Sequence, residues 1–311
     1  MLKAVGIDLG GTFIKGALVN EHGTIEKKEE IPTQAENGPA DILQRIEAMV
    51  HRLCGAENHP ADVISGVGIG VPGFVDDETG IAVEVVNLGW RDVPVVEPLS
   101  TKLHVPVYMD NDANAAALGE AWVGAGRNHK SAVLVTLGTG VGGGIVIAGR
   151  VLRGAFAMAG EIGHLRMEHE GAHCNCGGIG CLETVSSATG VVRLAQVAIA
   201  AGKPTSLPSA SLTAADVFQA REQGDEVAIE VVNKAMDTLA RALRMVAVVV
   251  NPEVFVIGGG MAKAGTAITE PLQQFFSTYA LPRIAALTKI ELATLGNDAG
   301  IVGAARLALF A

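Results

Sequence analysis

Three cysteines, Cys174, Cys176 and Cys181, fall within eight residues, with His164, His169 and His173 just upstream. One nitrogen and three sulfurs form the ligand set of a closed tetrahedral zinc site, which leaves no open position for catalysis. Gly177, Gly178 and Gly180 let the chain wrap so that Cys176 and Cys181 face one ion. Spacing alone leaves the nitrogen donor open, although joint chelation by the neighbours His173 and Cys174 would be strained. The surrounding Ala159-Gly160-Glu161-Ile162-Gly163-His164 stretch, and Glu183 two residues after Cys181, place carboxylates and imidazole beside the knot. Such groups accept hydrogen bonds in fixed directions and suit sugar hydroxyls. A solvated surface acid is the plainer reading of either glutamate.

A second chemistry belongs to glycine. Asp8-Leu9-Gly10-Gly11-Thr12 ends an apolar run with an acid and then offers backbone amides free of Cβ, as a phosphate requires. Leu137-Gly138-Thr139-Gly140-Val141-Gly142-Gly143-Gly144 has more glycine than one turn needs, and Val254 to Gly260 ends in a third cluster, Gly258-Gly259-Gly260. None of these fits the P-loop or the dinucleotide fingerprint. A β-turn with glycines at positive φ is the simpler alternative for the first. Asp110-Asn111-Asp112 closes the run from Val105 to Met109 and opens a helical pattern, Ala113 to Trp122. Carboxylates at such strand ends serve as general bases in open α/β sheets, or Asp110 or Asp112 simply caps the helix.

The elements that must hold these groups alternate between strand and helix, with several strands apolar throughout, which predicts an α/β fold with helices on both faces of a sheet. The clearest strands are Val63 to Val71, Val105 to Met109, Ala132 to Leu137 and Val254 to Ile257. Helical patterns cover Asp41 to Leu53, Ala113 to Trp122, Ser187 to Ala201 and Glu226 to Val250, the last stopped at Asn251-Pro252. Ile7-Asp8-Leu9-Gly10-Gly11-Thr12 with Gly16 to Val19 is echoed by Val135 to Gly140 with Gly144 to Ile147, so two related halves would each open with a glycine hairpin. The boundary is expected near Glu120 to Lys130, and Ala201 to Ser211 reads as a surface loop.

The 311 residues are 49% hydrophobic and 18% charged, enough apolar material for two cores. A formal charge of −10 disfavours nucleic acid and anionic lipid as partners. No apolar run is long enough to cross a bilayer, and the N-terminal residues lack an export-signal pattern. With Cys54 alone and the other cysteines clustered for metal, a reducing, cytoplasmic setting is expected.

Taken in order, Asp8 to Thr12, Asn111-Asp112, Gly138 to Gly144, Glu161-x-x-His164, the string from Cys174 to Glu183, and Gly258 to Gly260 resemble the ROK family (repressor, open reading frame, kinase) of the actin-like sugar-kinase superfamily. The resemblance covers nearly the whole chain and selects His164 as the zinc nitrogen. It implies two actin-like, ribonuclease H-like lobes around a central cleft, residues 1–120 completed by 298–311 and residues 121–297 carrying the zinc motif. It implies transfer of the γ-phosphoryl group of ATP to the 6-hydroxyl of glucose, with Asp112 as base. Gly73, Asn87, Asn111, Glu161, His164 and Glu183 would hold the sugar. Asp8, Gly10, Gly11, Thr12, Lys15, Gly138, Thr139, Gly140, Gly258, Gly259 and Gly260 would hold the nucleotide, with Mg²⁺ near Asp8. Structural Zn²⁺ would sit on His164, Cys174, Cys176 and Cys181. Relatives commonly form dimers or tetramers, and some accept polyphosphate.

Another hexose, such as fructose, mannose or an N-acetylhexosamine, is the nearest alternative substrate; Asn87-Leu88-Gly89-Trp90 resembles the glucose-specific members. A sugar-responsive repressor is a further alternative, against which Asp8 stands too near Met1 for an added helix-turn-helix. Family members often have Asn-Gly where this chain has Phe156-Ala157, a difference that bears on the sugar pocket.

Overall fold

The computed structural model describes residues 2–310. In chain order the strands and helices are β1 (Lys3–Leu9), β2 (Phe13–Asn20), β3 (Ile25–Pro32), α1 (Pro39–Cys54), α2 (Pro60–Val63), β4 (Val67–Val71), β5 (Phe74–Asp76), β6 (Ile81–Val85), β7 (Trp90–Pro94), α3 (Val96–Leu103), β8 (Val107–Asn111) and α4 (Asp112–Trp122). They continue with β9 (Ser131–Leu137), β10 (Val141–Ile147), β11 (Arg150–Val151), α5 (Glu183–Ser186), α6 (Ala188–Ala200), α7 (Ala214–Glu222), α8 (Glu226–Val250), β12 (Val254–Gly258), α9 (Thr266–Tyr279), α10 (Pro282–Leu287), β13 (Lys289–Leu292) and α11 (Ala299–Leu309). The expected α/β alternation is present.

The chain forms two compact units, unit 1 from Met1–Ser131, Gly144–Gly160 and Thr294–Ala311, and unit 2 from Ala132–Gly143 and Glu161–Ala293. The sequence places the boundary near Glu120 and assigns 121–297 to one piece. Here residues 144–160 lie with unit 1, because β11 and the segment after it pack on α4 and pair with Asp110. The strand pattern beginning at Val63 is also corrected: Pro60 starts a helical turn through Val63, with the His59 ring accepting the Ala61 N–H, and the strand starts at Val67. Proline at the first helical position, where its missing N–H costs nothing, explains the turn.

Unit 1 is built on a sheet of order β3-β2-β1-β4-β8, in which β1, β4 and β8 are parallel and β2 and β3 antiparallel. Val5, Ile7 and Leu9 face a core with Ile42, Ile46 and Met49 of α1, and Ala4, Ala17 and Val19 face Ile301, Val302 and Ala305 of α11. This alternation is the period of a strand buried on both sides. Small residues let α11 approach: a Cβ at Gly6 would stand 1.9 Å from the Ile301 carbonyl oxygen, and one at Gly303 would stand 1.6 Å from that of Ala115. Glu120, buried in α4, accepts the N–H groups of Ala125, Thr294 and Leu295 at 2.8 to 3.2 Å, fixing the segment that leads into α11.

In the second five-stranded sheet β9, β12 and β13 are parallel, and its order β11-β10-β9-β12-β13 matches that of the first position for position. The echo seen in the sequence is therefore an echo of topology. Helix α8 starts on Asp225, whose carboxylate accepts the Ala228 N–H, and ends at Asn251 in the left-handed region before Pro252. No described helix is long and apolar enough to cross a membrane.

Candidate active site

In unit 1 the carboxyl ends of the three parallel strands form one row, with Asp8 paired to Gly70 and Gly70 to Asp110. The Gly10–Thr12 turn is closed by Gly10 N–H on the Phe13 carbonyl at 2.9 Å, and buried Thr33 pins it through bonds to the Gly10 and Thr12 carbonyls. Burial pushes the Asp8 carboxyl up, and Lys15, its cross-strand partner, pulls it back. The first turn of α11 lies beside Asp8, where a Cβ on Gly300 would stand 3.2 Å from its Cγ. Asn87, exposed, adjoins Gly11.

The helix cap at the β8–α4 junction is Asn111 rather than either aspartate: its Oδ1 accepts the N–H groups of Ala113 at 2.9 Å and Asn114 at 3.2 Å. An uncharged amide caps as well as a carboxylate, so neither acid is the cap. Its Nδ2 donates to the Gly73 carbonyl at 3.1 Å, so the expected sugar residues Asn111 and Gly73 are neighbours. Asp112 stands in the first turn with its Oδ1 on the Ala113 N–H at 2.8 Å. Asp110, wholly buried, is held by Arg153 at 2.7 Å and by the Asn114 amide at 2.9 Å. Burial pushes its carboxyl up, against the charge of Arg153 and the donated hydrogen bonds. Sequence reasoning missed Arg153, whose only signal is a basic residue beside the Gly154–Gly160 loop.

In unit 2 the second hairpin turn is closed by Gly138 N–H on the Gly140 carbonyl at 3.0 Å, and Thr189 donates to the Thr139 carbonyl at 2.7 Å. Gly138, Thr139 and Gly260 line one cavity of about 560 Å³ with Ala188, Phe218 and Met261. Two of the predicted glycine clusters are thus brought together, and the apolar wall that α7 adds went unforeseen. Gly259 has φ of +83° beside Leu137, where a Cβ would meet the Leu137 backbone at 2.5 Å.

His164, Cys174, Cys176 and Cys181 bring their ligand atoms within 4.8 Å of one another, and His169 and His173 lie outside the group. Cys176 Sγ is 3.7 Å from Cys181 Sγ, and Cys174 Sγ is 3.6 Å from His164 Nδ1. A tetrahedral zinc ion sets such edges at about 3.8 Å between sulfurs and about 3.5 Å between sulfur and nitrogen. The donor set therefore fits the ion. Without one, burial holds the Cys174 thiol up at about 12, a cost that metal binding removes by displacing the proton. His164 Nε2, the other ring nitrogen, lies 3.7 Å from Glu161 Oε2. Glu183 accepts the Val141 N–H at 3.1 Å, and a Cβ on Gly140 would collide with its Oε2 at 2.0 Å.

The ROK family profile matches residues 4–310. The chain belongs to the ROK family. Among ROK proteins it is 47% identical over 306 residues to the glucokinase of Halalkalibacterium halodurans, covering 96% of this chain and 92% of that one. It is 38% identical to the glucokinase of Thermotoga maritima, with 98% and 97% covered. A ROK family glucokinase of Streptomyces griseus, solved with glucose and AMPPNP, superposes with a TM-score of 0.79 at 32% identity, 98% of each chain covered.

Proposed function

We propose that this ROK protein is a glucokinase: it transfers the γ-phosphoryl group of ATP to the 6-hydroxyl of glucose in the cytoplasm. The observation that carries the reading is the similarity, over nearly the whole chain, to glucokinases, joined to an acid, Asp112, in the first turn of a helix at the end of a parallel strand. Asp112 takes the proton of the 6-hydroxyl as that oxygen bonds to the γ-phosphorus. The bond from phosphorus to the bridging oxygen breaks, and ADP leaves with the electron pair. Asn111, Gly73, Asn87, Glu161, His164 and Glu183 hold the remaining hydroxyls.

The nucleotide's base occupies the apolar cavity of Phe218 and Met261, and its phosphates meet the amides of Gly10 to Thr12 and Gly138 to Gly140. Lys15 and Gly258 to Gly260 complete this contact. Asp8 is the residue placed to hold Mg²⁺, which when bound neutralises phosphate charge. Zinc on His164, Cys174, Cys176 and Cys181 is structural. His164 would hold that ion through Nδ1, which lies 3.6 Å from Cys174 Sγ, and keep Nε2 for the sugar. Phosphoryl transfer asks mainly for position and neutralised charge, which this division of labour supplies.

ADP release across a panel of hexoses tests the substrate, with glucose expected to give the highest kcat/KM. Asp112→Asn should lower kcat by about 10²- to 10⁴-fold, the range of general-base catalysis, with glucose binding by calorimetry retained. Turnover near that of the unaltered protein would remove Asp112 from its role.

A further inference from the structure

A cavity of about 610 Å³ in unit 1 shares only Arg153 with the site described above. Its size is that of small-molecule sites. Three arginines line it: Arg150 in β11, Arg153 three residues on, and Arg306 in α11. Arg153 is committed to the carboxylates of Asp110 and Asp77. Arg306 is half-buried, with its guanidinium 4.0 Å from the Phe310 ring centroid and 5.8 Å from that of Trp122. Among the described residues no acid or other hydrogen-bond acceptor meets it, and desolvation alone acts on its charge, pulling its pKa down. Stacking fixes the plane of the guanidinium and leaves its five N–H donors unmatched. Exposed Arg150 also has no acid partner among the described residues. Two unpaired forks of this kind match the oxygens of a phosphate.

The same cavity carries Asp77, Glu78 and Glu97. Carboxylates repel a second anionic group on a ligand and accept hydrogen bonds from hydroxyls. We propose that this cavity binds a hydroxylated phosphate monoester of sugar-phosphate class, its phosphate on Arg150 and Arg306 and its hydroxyls on the acidic side. Arg153 lines the cavity and also clamps Asp110, two residues before Asp112, so occupancy reaches the strand end that carries the proposed base. The hexose 6-phosphate formed in the proposed reaction belongs to this class; the inference rests on that reading only for this choice of probe.

Calorimetric titration with glucose 6-phosphate, in saturating glucose, tests the site on the unaltered protein, on Arg306→Met, which keeps an apolar stem under Phe310, and on Arg150→Gln. Binding that glucose does not displace, weakened at least tenfold in each variant while glucose affinity stays unchanged, is the expected result. No binding in the unaltered protein, displacement by glucose, or unaltered affinity in both variants overturns the proposal. Arg150 is exposed, so its variant decides the matter should Arg306→Met fail to fold. Inorganic phosphate, titrated separately, should bind at least tenfold more weakly than the ester; equal affinity would overturn the role given to the acids. Because binding is read directly, its failure is distinct from an absence of hexose turnover.

Discussion

The β8–α4 junction of unit 1 and the Glu161–Glu183 segment of unit 2 both present polar side chains for one proposed substrate, but they are held by different physics. Asp112 and Asn111 stand where a parallel strand gives way to a helix, with Asn111 spent on the cap and Asp110 buried beneath against Arg153. Hydrogen-bonded secondary structure sets their positions. Glu161, His164 and Glu183 lie among short turns and isolated bridges such as Arg166 with Cys181, where no sheet or long helix fixes the backbone. There His164, Cys174, Cys176 and Cys181, a donor set that fits one ion, stand in place of a core. A regular element tolerates the loss of one contact, whereas a metal-closed segment loses its geometry all at once.

The widest separation between the two regions should come from removing the ion. Cys176→Ser, or a strong chelator, is expected to abolish stoichiometric zinc, to lower Tm by about 10 °C given a loss of at least ~3 kcal/mol, and to open residues 161–183 to protease. Amide exchange at the β8–α4 junction should stay slow. Equal loosening of both regions would show that the ion supports more than its own segment.

The converse experiment attacks unit 1. Arg153→Met leaves the Asp110 carboxylate buried without its cation, at a cost of about 3–5 kcal/mol. Adding Asp110→Asn should recover most of that loss, since it is the unpaired charge that destabilises, and a denaturant series on the two single variants and the double variant measures the coupling. Zinc content should be unaffected throughout. Additive effects would mean that Arg153 and Asp110 act separately.

How much of this contrast was legible in the sequence follows from the same physics. The three cysteines of the metal group were readable because ligand types are few and their spacing is local, and α8 was readable from apolar periodicity and the Asn251-Pro252 stop, whereas His164 and α11 came only from the family resemblance. The glycine hairpins were visible as a repeated local pattern, and the matching sheet orders bear that out. What depends on residues far apart in the chain was not readable: Arg153 meeting Asp110, Glu120 receiving Thr294 and Leu295, and Phe218 joining Gly138 and Gly260 around one cavity. The cap went to Asn111 because three consecutive residues of similar capping propensity compete at Asp110-Asn111-Asp112, and only the register of β8 decides among them.

A second irregular segment of unit 2, residues 203–207, is tied by a carboxylate instead of an ion. Loss of water would push the Asp225 carboxyl up, but the N–H groups of Ser206 and Ala228 and the hydroxyls of Thr205 and Ser206 overcome this and hold it at about 2. A carboxyl lowered from 3.8 contributes stability above pH about 4, lost as pH falls from there towards 2. Acid titration of Tm should therefore show a drop in that window that Asp225→Asn lacks. An identical acid profile in the variant would mean that the loop is held by other contacts.

The smallest effect probes an irregular stretch of unit 1, residues 154–160. Ala157 has φ of +53°, in the left-handed region that costs a residue with a Cβ about 1–2 kcal/mol, at the position where family members often have glycine. Glycine relieves that strain but adds roughly 0.5–1 kcal/mol of unfolded-chain entropy. Ala157→Gly should therefore raise stability by about 0.5–1 kcal/mol, read as a Tm increase of about 1–3 °C. A fall in Tm would show that the left-handed alanine is compensated by contacts of the Gly154–Gly160 loop, and that this loop is held as firmly as the junction whose Arg153 precedes it.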